Sequence, residues 1–182
     1  HSLDKAVWLN GDAAPLACYG LGGRQVRTGD QWGNIYDHHA VCYEFPGDVR
    51  VFSYTRQMSG CFNEVDDIVL GTKGQARVLK FAIEGPMKWK FSGARPSMYD
   101  VEHKEMFAAL RAGETINNGD YMTKSTMMAI MGRMATYTGQ RVTWDMAMKS
   151  EQELKPAKYE FGPVEGIPGN DTVAMPGKTK FV

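Results

Sequence analysis

Residues 37–57, DHHAVCYEF-PGD-VRVFSYTRQ, place two β-rich runs on either side of a Pro-Gly-Asp turn, and this pattern commits the middle of the chain to an antiparallel hairpin. With Gly47-Asp48 as a two-residue loop, Val41 is expected opposite Tyr54 and Tyr43 opposite Phe52 on one face. Cys42 then faces Ser53 and Glu44 faces Val51 on the other. One face is apolar and the other mixed, which suits a sheet covered on one side.

The rest of the chain is read outward from this hairpin. Leu3, Val7 and Trp8 fall close to the spacing of a helix face, and Asn10-Gly11 supplies a stop. Residues 15–26 read as a strand interrupted by Gly20, Gly22 and Gly23. Strands are also expected at 65–70, 75–83 and 87–91, continuing one meander to about residue 92. Helical periodicity then takes over. Tyr99, His103, Met106, Phe107 and Leu110 recur at one face, with Ser97 as cap and Gly113 as stop. A second helix is expected over 120–138, its methionines wrapping most of the circumference, so that it is buried on more than one side. Residues 141–147 add a short strand or turn. Strands first and helices after predict an α+β fold: a largely antiparallel open sheet with helices packed on one face. The expected organisation is one domain over 1–150 and an extended tail over 151–182, packing on that domain.

Composition narrows the function classes. The 182 residues are 43% hydrophobic and 23% charged, as in a globular chain with a core. Lys plus Arg (21) equals Asp plus Glu (21), so no net positive field exists to gather phosphates, and nucleic acid is a poor partner. Apolar runs fall short of a membrane span, so no membrane partner is expected. Cys18, Cys42 and Cys61 are isolated in strand-like surroundings and read as small buried hydrophobes. The adjacent His38 and His39 would point to opposite faces of a strand, so no metal site is expected.

Most candidate sites have a plainer reading. Tyr19-Gly20-Leu21-Gly22-Gly23 resembles a phosphate loop, but Gln25 stands where the third fingerprint glycine belongs, so a bent strand is the better account. His103 on an apolar stripe reads as a core histidine. Glu64 and Asp66 share a strand face but read as a solvated strand entry rather than a carboxylate dyad. His1-Ser2-Leu3-Asp4 places two polar groups on one side of a helix turn. Arg24, Arg27, Asp37, His38, Arg56 and Gln57 form a second concentration of polar groups in or beside strands, readable as a cleft lining or as surface ion pairs.

Taken in order, HSLD, GGRQVRTG, GNIYDHHAVCYEFPGDVRVFSYTRQMSGC, LGTKGQA, EHKEMFAALRAGETINNGDYMTKSTMMAIMGRMATYTGQRVTWD and VAMPGKTKFV resemble the C-terminal domain of bacterial oxidoreductases of the glucose–fructose oxidoreductase, inositol dehydrogenase and MocA (Gfo/Idh/MocA) family. The likeness runs over nearly the whole chain and is nearest to the subgroup with a long C-terminal tail. It implies an N-terminal Rossmann domain, outside this sequence, that binds NAD or NADP. This chain is then the substrate-binding and oligomerisation half of an enzyme acting on a sugar or polyol hydroxyl. The resemblance also implies a homo-oligomer through the open sheet face.

The family's helix carries D-x-x-x-H-x-x-D, and His1 and Asp4 match its latter half. The resemblance thereby implies that His1 handles the hydroxyl proton and Asp4 orients it, both as catalytic residues, at a histidine pKa suited to neutral pH. Arg24, His38 and Arg56 are the expected substrate-binding residues, holding hydroxyls or the nicotinamide end. Relatives that break glycosidic bonds through transient oxidation keep a second reaction class open, and a non-catalytic self-association or carbohydrate-binding module is the alternative from another class. Compartment is open between cytoplasm and a periplasm reached by a twin-arginine signal.

Overall fold

The computed structural model describes residues 1–162 and 172–182, and divides into two compact units, His1–Gly60 with Gly119–Val182 and Cys61–Asn118. Each contains a four-stranded antiparallel sheet, and the fold class is α+β.

In the first unit, β1 (Ala17–Gly23), β2 (His38–Glu44), β3 (Arg50–Arg56) and the short β8 (Val142–Thr143) form sheet A in the order β3-β2-β1-β8. Helix α3 (Gly119–Thr138) lies on one face of β1 and β2, with α1 (Ser2–Leu9) against it. The contact is made close by missing side chains. A Cβ on Gly132 would stand 2.2 Å from the Tyr43 hydroxyl, and one on Gly22 would stand 3.1 Å from Thr136 Cβ. Around this seam Cys18, Val41, Tyr43, Phe45, Met128, Met131, Ala135 and Val142 form the core, joined by Val7 of α1. Met128 and Met131 are fully buried, in keeping with a helix enclosed on several sides. The short α4 (Trp144–Met148) begins at Thr143, whose hydroxyl accepts from the Met146 N–H.

The hairpin forms, but its register differs from expectation by one residue. Val41 pairs with Ser53, Cys42 with Phe52, Tyr43 with Val51 and Glu44 with Arg50. The loop is longer than two residues: the Phe45 N–H donates to the Val49 carbonyl at 2.9 Å, and Gly47 and Asp48 both take positive φ (73° and 60°). Such a turn inserts a residue, and a slip of one exchanges cross-strand partners along the hairpin. Phe52 and Tyr54, expected beside the core residues Tyr43 and Val41, therefore sit on the uncovered face with Tyr19 and Leu21.

The second unit holds sheet B, in which β4 (Ile68–Gly71), β5 (Gly74–Arg77), β6 (Ala82–Glu84) and β7 (Trp89–Lys90) meander in order. The expected single meander is thus two sheets, because hydrophobic pattern identifies a strand but not the neighbour it pairs with. The expected strand over 75–83 is broken at Val78–Lys80 by a tight turn that leaves Phe81 left-handed (φ 52°). Helix α2 (Met98–Ala112) follows, preceded by Ser97 and closed by left-handed Gly113. No residue of Cys61–Asn118 is buried. His103 is accordingly not a core histidine: it is exposed, with Nδ1 2.7 Å from the Tyr99 carbonyl. Cys61 is likewise exposed rather than buried. Glu64 and Asp66 do share a direction, but both accept from Arg77, at 3.1 and 2.6 Å.

At the C-terminus, the Ala174 carbonyl accepts from the Tyr36 hydroxyl at 2.8 Å, and the Gly177 N–H donates to Thr138 at 2.8 Å. Phe181 packs against the core. The central part of the expected tail, 163–171, lies outside the described residues.

Gly132→Ala is predicted to destabilise the protein by about 1–3 kcal/mol, overpacking against fully buried Tyr43 outweighing the roughly 1 kcal/mol gain in helix propensity. Urea denaturation checks this. The penalty should shrink in a Tyr43→Phe background, which removes the atom the new methyl meets.

Candidate functional site

Antiparallel register brings Gly23, His38 and Arg56 into one row at one end of sheet A. Arg24, Asp37 and Gln57 are their immediate neighbours in sequence. The second polar concentration read from the sequence is therefore one place in space. Its organising group is Asp37, whose side chain is fully buried. Oδ2 accepts from the backbone N–H groups of Gln25, Val26 and Arg27 at 2.8, 2.8 and 3.0 Å. Oδ1 lies 2.8 Å from His38 Nδ1. The main chain of Asp37 is tied as well, its N–H donating to Gly23 and its carbonyl accepting from Gln57. One residue thus joins the loop after β1, the start of β2 and the end of β3.

Burial pushes the Asp37 carboxyl up, but the three backbone donors and His38 together outweigh it and hold the group well below the usual carboxylate range. Asp37 is thus an acceptor only, so His38 Nδ1 must carry the hydrogen between them. In the neutral ring this leaves Nε2 as an acceptor. The His38 side chain is 33% exposed. Gly23 keeps the ring uncrowded, since a Cβ there would lie 3.3 Å from both Cε1 and Nε2. Arg56 is exposed directly across from it on β3.

His39, one residue on, points to the opposite face. Its Nδ1 is 2.9 Å from Thr136 Oγ1, whose own proton goes to the carbonyl of Gly132 or Arg133. Thr136 therefore accepts from His39. Burial lowers the His39 pKa, and the electrostatic influence of His38 and Arg133 lowers it further against the opposing effect of Asp37. The ring stacks toward Tyr137, with centroids 6.2 Å apart and planes at 10°. His39 is a neutral packing group that pins β2 to α3.

The expected site residues do not all serve alike. Arg24 donates to the carbonyls of Gly33 (2.7 Å) and Thr28, stapling the loop around Asp37. His1 is exposed at the start of α1, and Asp4 is half-buried one turn on. No described hydrogen bond joins their side chains to each other or to the His38 row. Asp37 was visible in the sequence only as one polar residue among several. Its signal was an acidic residue at a strand entry, downstream of a polar loop. The Tyr19–Gly23 glycines lie within an antiparallel strand, packed against β2 and α3, and offer no cradle for a dinucleotide phosphate.

No protein-family model and no curated protein matches the sequence. Solved structures are similar in fold. A crystal structure of aldose-aldose oxidoreductase from Caulobacter crescentus, complexed with glycerol, has a TM-score of 0.59 at 17% identity, covering 78% of this chain and 44% of that one. A structure described as an oxidoreductase from Thermotoga maritima has a TM-score of 0.57 at 16% identity, covering 79% of this chain and 44% of that one. This chain has the fold of a segment of such oxidoreductases and spans less than half the length of either.

Acid stability gives a test of the Asp37 cradle. A carboxyl depressed in the folded state contributes stability that is complete well above the unfolded pKa of about 3.9 and is lost as pH falls toward the folded value. Asp37→Ala, which strands three donors, is predicted to cost on the order of 3 kcal/mol at pH 7. It should also flatten the fall in stability below about pH 4. Urea titrations across that range would read both.

Proposed function

We propose that this chain is the substrate-binding and oligomerisation half of an NAD(P)-dependent oxidoreductase of Gfo/Idh/MocA type, acting on a sugar or polyol hydroxyl. The observation that carries the reading is the fold likeness to oxidoreductases of about twice this length, together with an ordered polar row at one sheet end. In this reading NAD or NADP is held by a Rossmann domain, as the family resemblance implies. When bound, the nicotinamide supplies hydride chemistry. The present residues bind the substrate and handle its proton: His1 exchanges the hydroxyl proton, Asp4 orients it, and His38 and Arg56 receive neighbouring hydroxyls. Arg24 supports them through its loop.

One observation supports association with further protein. The uncovered face of sheet A presents Tyr19, Leu21, Phe52 and Tyr54, with Leu21 79% exposed. A face of this kind is a pairing surface or a hazard. We assign the part of the face around these four residues to a second copy of the chain and its His38 end to the substrate.

In the intact protein, His1→Ala should lower turnover of the sugar substrate by on the order of 10²–10⁴. Unchanged turnover removes His1 from the reaction. Phe52→Asp with Tyr54→Asp should shift the sedimentation profile to the monomer, and an unshifted oligomer would place the interface elsewhere.

A further inference from the structure

We propose that Asp37 is a positioning residue that locks His38 in a single tautomer, with Nε2 held as the acceptor for a substrate hydroxyl. The assignment of a substrate hydroxyl to His38 rests on the function proposed above, whereas the lock itself rests on geometry alone.

The carboxylate has no proton to give, so the hydrogen on the 2.8 Å contact to His38 belongs to Nδ1. The carboxylate cannot turn away from the ring, because its other oxygen is fixed by three backbone N–H groups. An exposed histidine would otherwise exchange between tautomers and rotamers, and a ligand would have to select one of them. Here that selection is made during folding, which lowers the cost of binding. The ring is also open where it must be: one-third exposed, beside a glycine, on a sheet face that no helix of its unit covers. In the neutral ring the exposed edge therefore carries an acceptor, and the ligand group it fits is a hydroxyl donor.

Among the described residues, the charged groups around the ring are these. On β2, Asp37 binds it and His39 turns to the other face; across β3 stands Arg56; the loop contributes Arg24, held by carbonyls, and Arg27, stacked over Trp32 at 4.9 Å. None of these presents a second acceptor to Nδ1 in the hydrogen bonds described.

Replacing Asp37 with Asn makes the argument testable. The amide oxygen is needed by three N–H donors, so the NH₂ group must face His38, and Nδ1 must then accept. The tautomer inverts and Nε2 becomes a donor, the same logic by which an Asp-to-Asn change disables the serine-protease histidine.

The experiment uses the intact protein labelled with ¹⁵N-histidine, with the His38 signals assigned by their loss in His38→Gln. Read at a pH where the ring is neutral, the expected result is hydrogen on Nδ1 of His38 in the wild type and on Nε2 in D37N. Wild-type protein with hydrogen on Nε2, or D37N with an unchanged tautomer, overturns the lock. If D37N does not fold, the wild-type tautomer still decides the lock, and H38Q decides the role of the acceptor. Both D37N and H38Q should lower kcat/KM for the sugar substrate by on the order of 10²-fold. Undiminished activity in folded H38Q overturns the substrate role. A wild type with no oxidoreductase activity, but with the predicted tautomer and its inversion, would overturn the proposed function and leave the lock standing.

Discussion

The close approach of α3 to β1 and β2 is the constraint on which the described architecture of the first unit rests. A helix can lie this near a sheet only where side chains are absent, and Gly22 and Gly132 clear the space into which Thr136 and Tyr43 fit. Once α3 is seated, Thr136 meets His39 and fixes which face of β2 looks inward. Alternation then turns His38 outward without further instruction. Asp37, at the entry to the same strand, reaches both His38 and the loop after β1. Packing on one face thereby decides the chemistry available on the other.

Charge is handled economically in this arrangement. Asp37 is buried with four donors around it, so the usual penalty for a desolvated carboxylate is offset locally. Burial above all, with Arg133 nearby, lowers the His39 pKa. The one imidazole at the sheet end with an open acceptor edge is therefore His38, and its orientation is set by groups that never touch a ligand. This division between a buried anchor and an exposed working atom is how precise sites are held on rigid elements.

Much of this was legible in the sequence, for physical reasons that also explain what was not. Helices α2 and α3 follow directly from period and caps, with Ser97, Gly113 and Gly139 at their borders. The hairpin was legible as a hairpin, but its register depends on Gly47 and Asp48 both being left-handed, and Pro-Gly-Asp is compatible with more than one loop length. The division into two sheets was hidden because a strand's pattern does not name its neighbour. The polar cluster at the sheet end was legible as a composition, since Arg24, His38 and Arg56 are close in sequence to strand ends. The difference between Arg24 as a staple and His38 as an open group was not, because it depends on the carbonyls of Thr28 and Gly33 being within reach. Asp37 stood out least although it does most, since a hydrogen-bonded anchor differs from a surface aspartate only in three dimensions.

In the proposed function this end of sheet A is a wall of the substrate cleft. A crystal structure of the intact protein with its nicotinamide cofactor and a bound polyol tests that claim most directly. The predicted result is a ligand hydroxyl within about 3.2 Å of His38 Nε2. A polyol seated beside the nicotinamide, with His38 facing bulk solvent or a second copy of the chain, would contradict it.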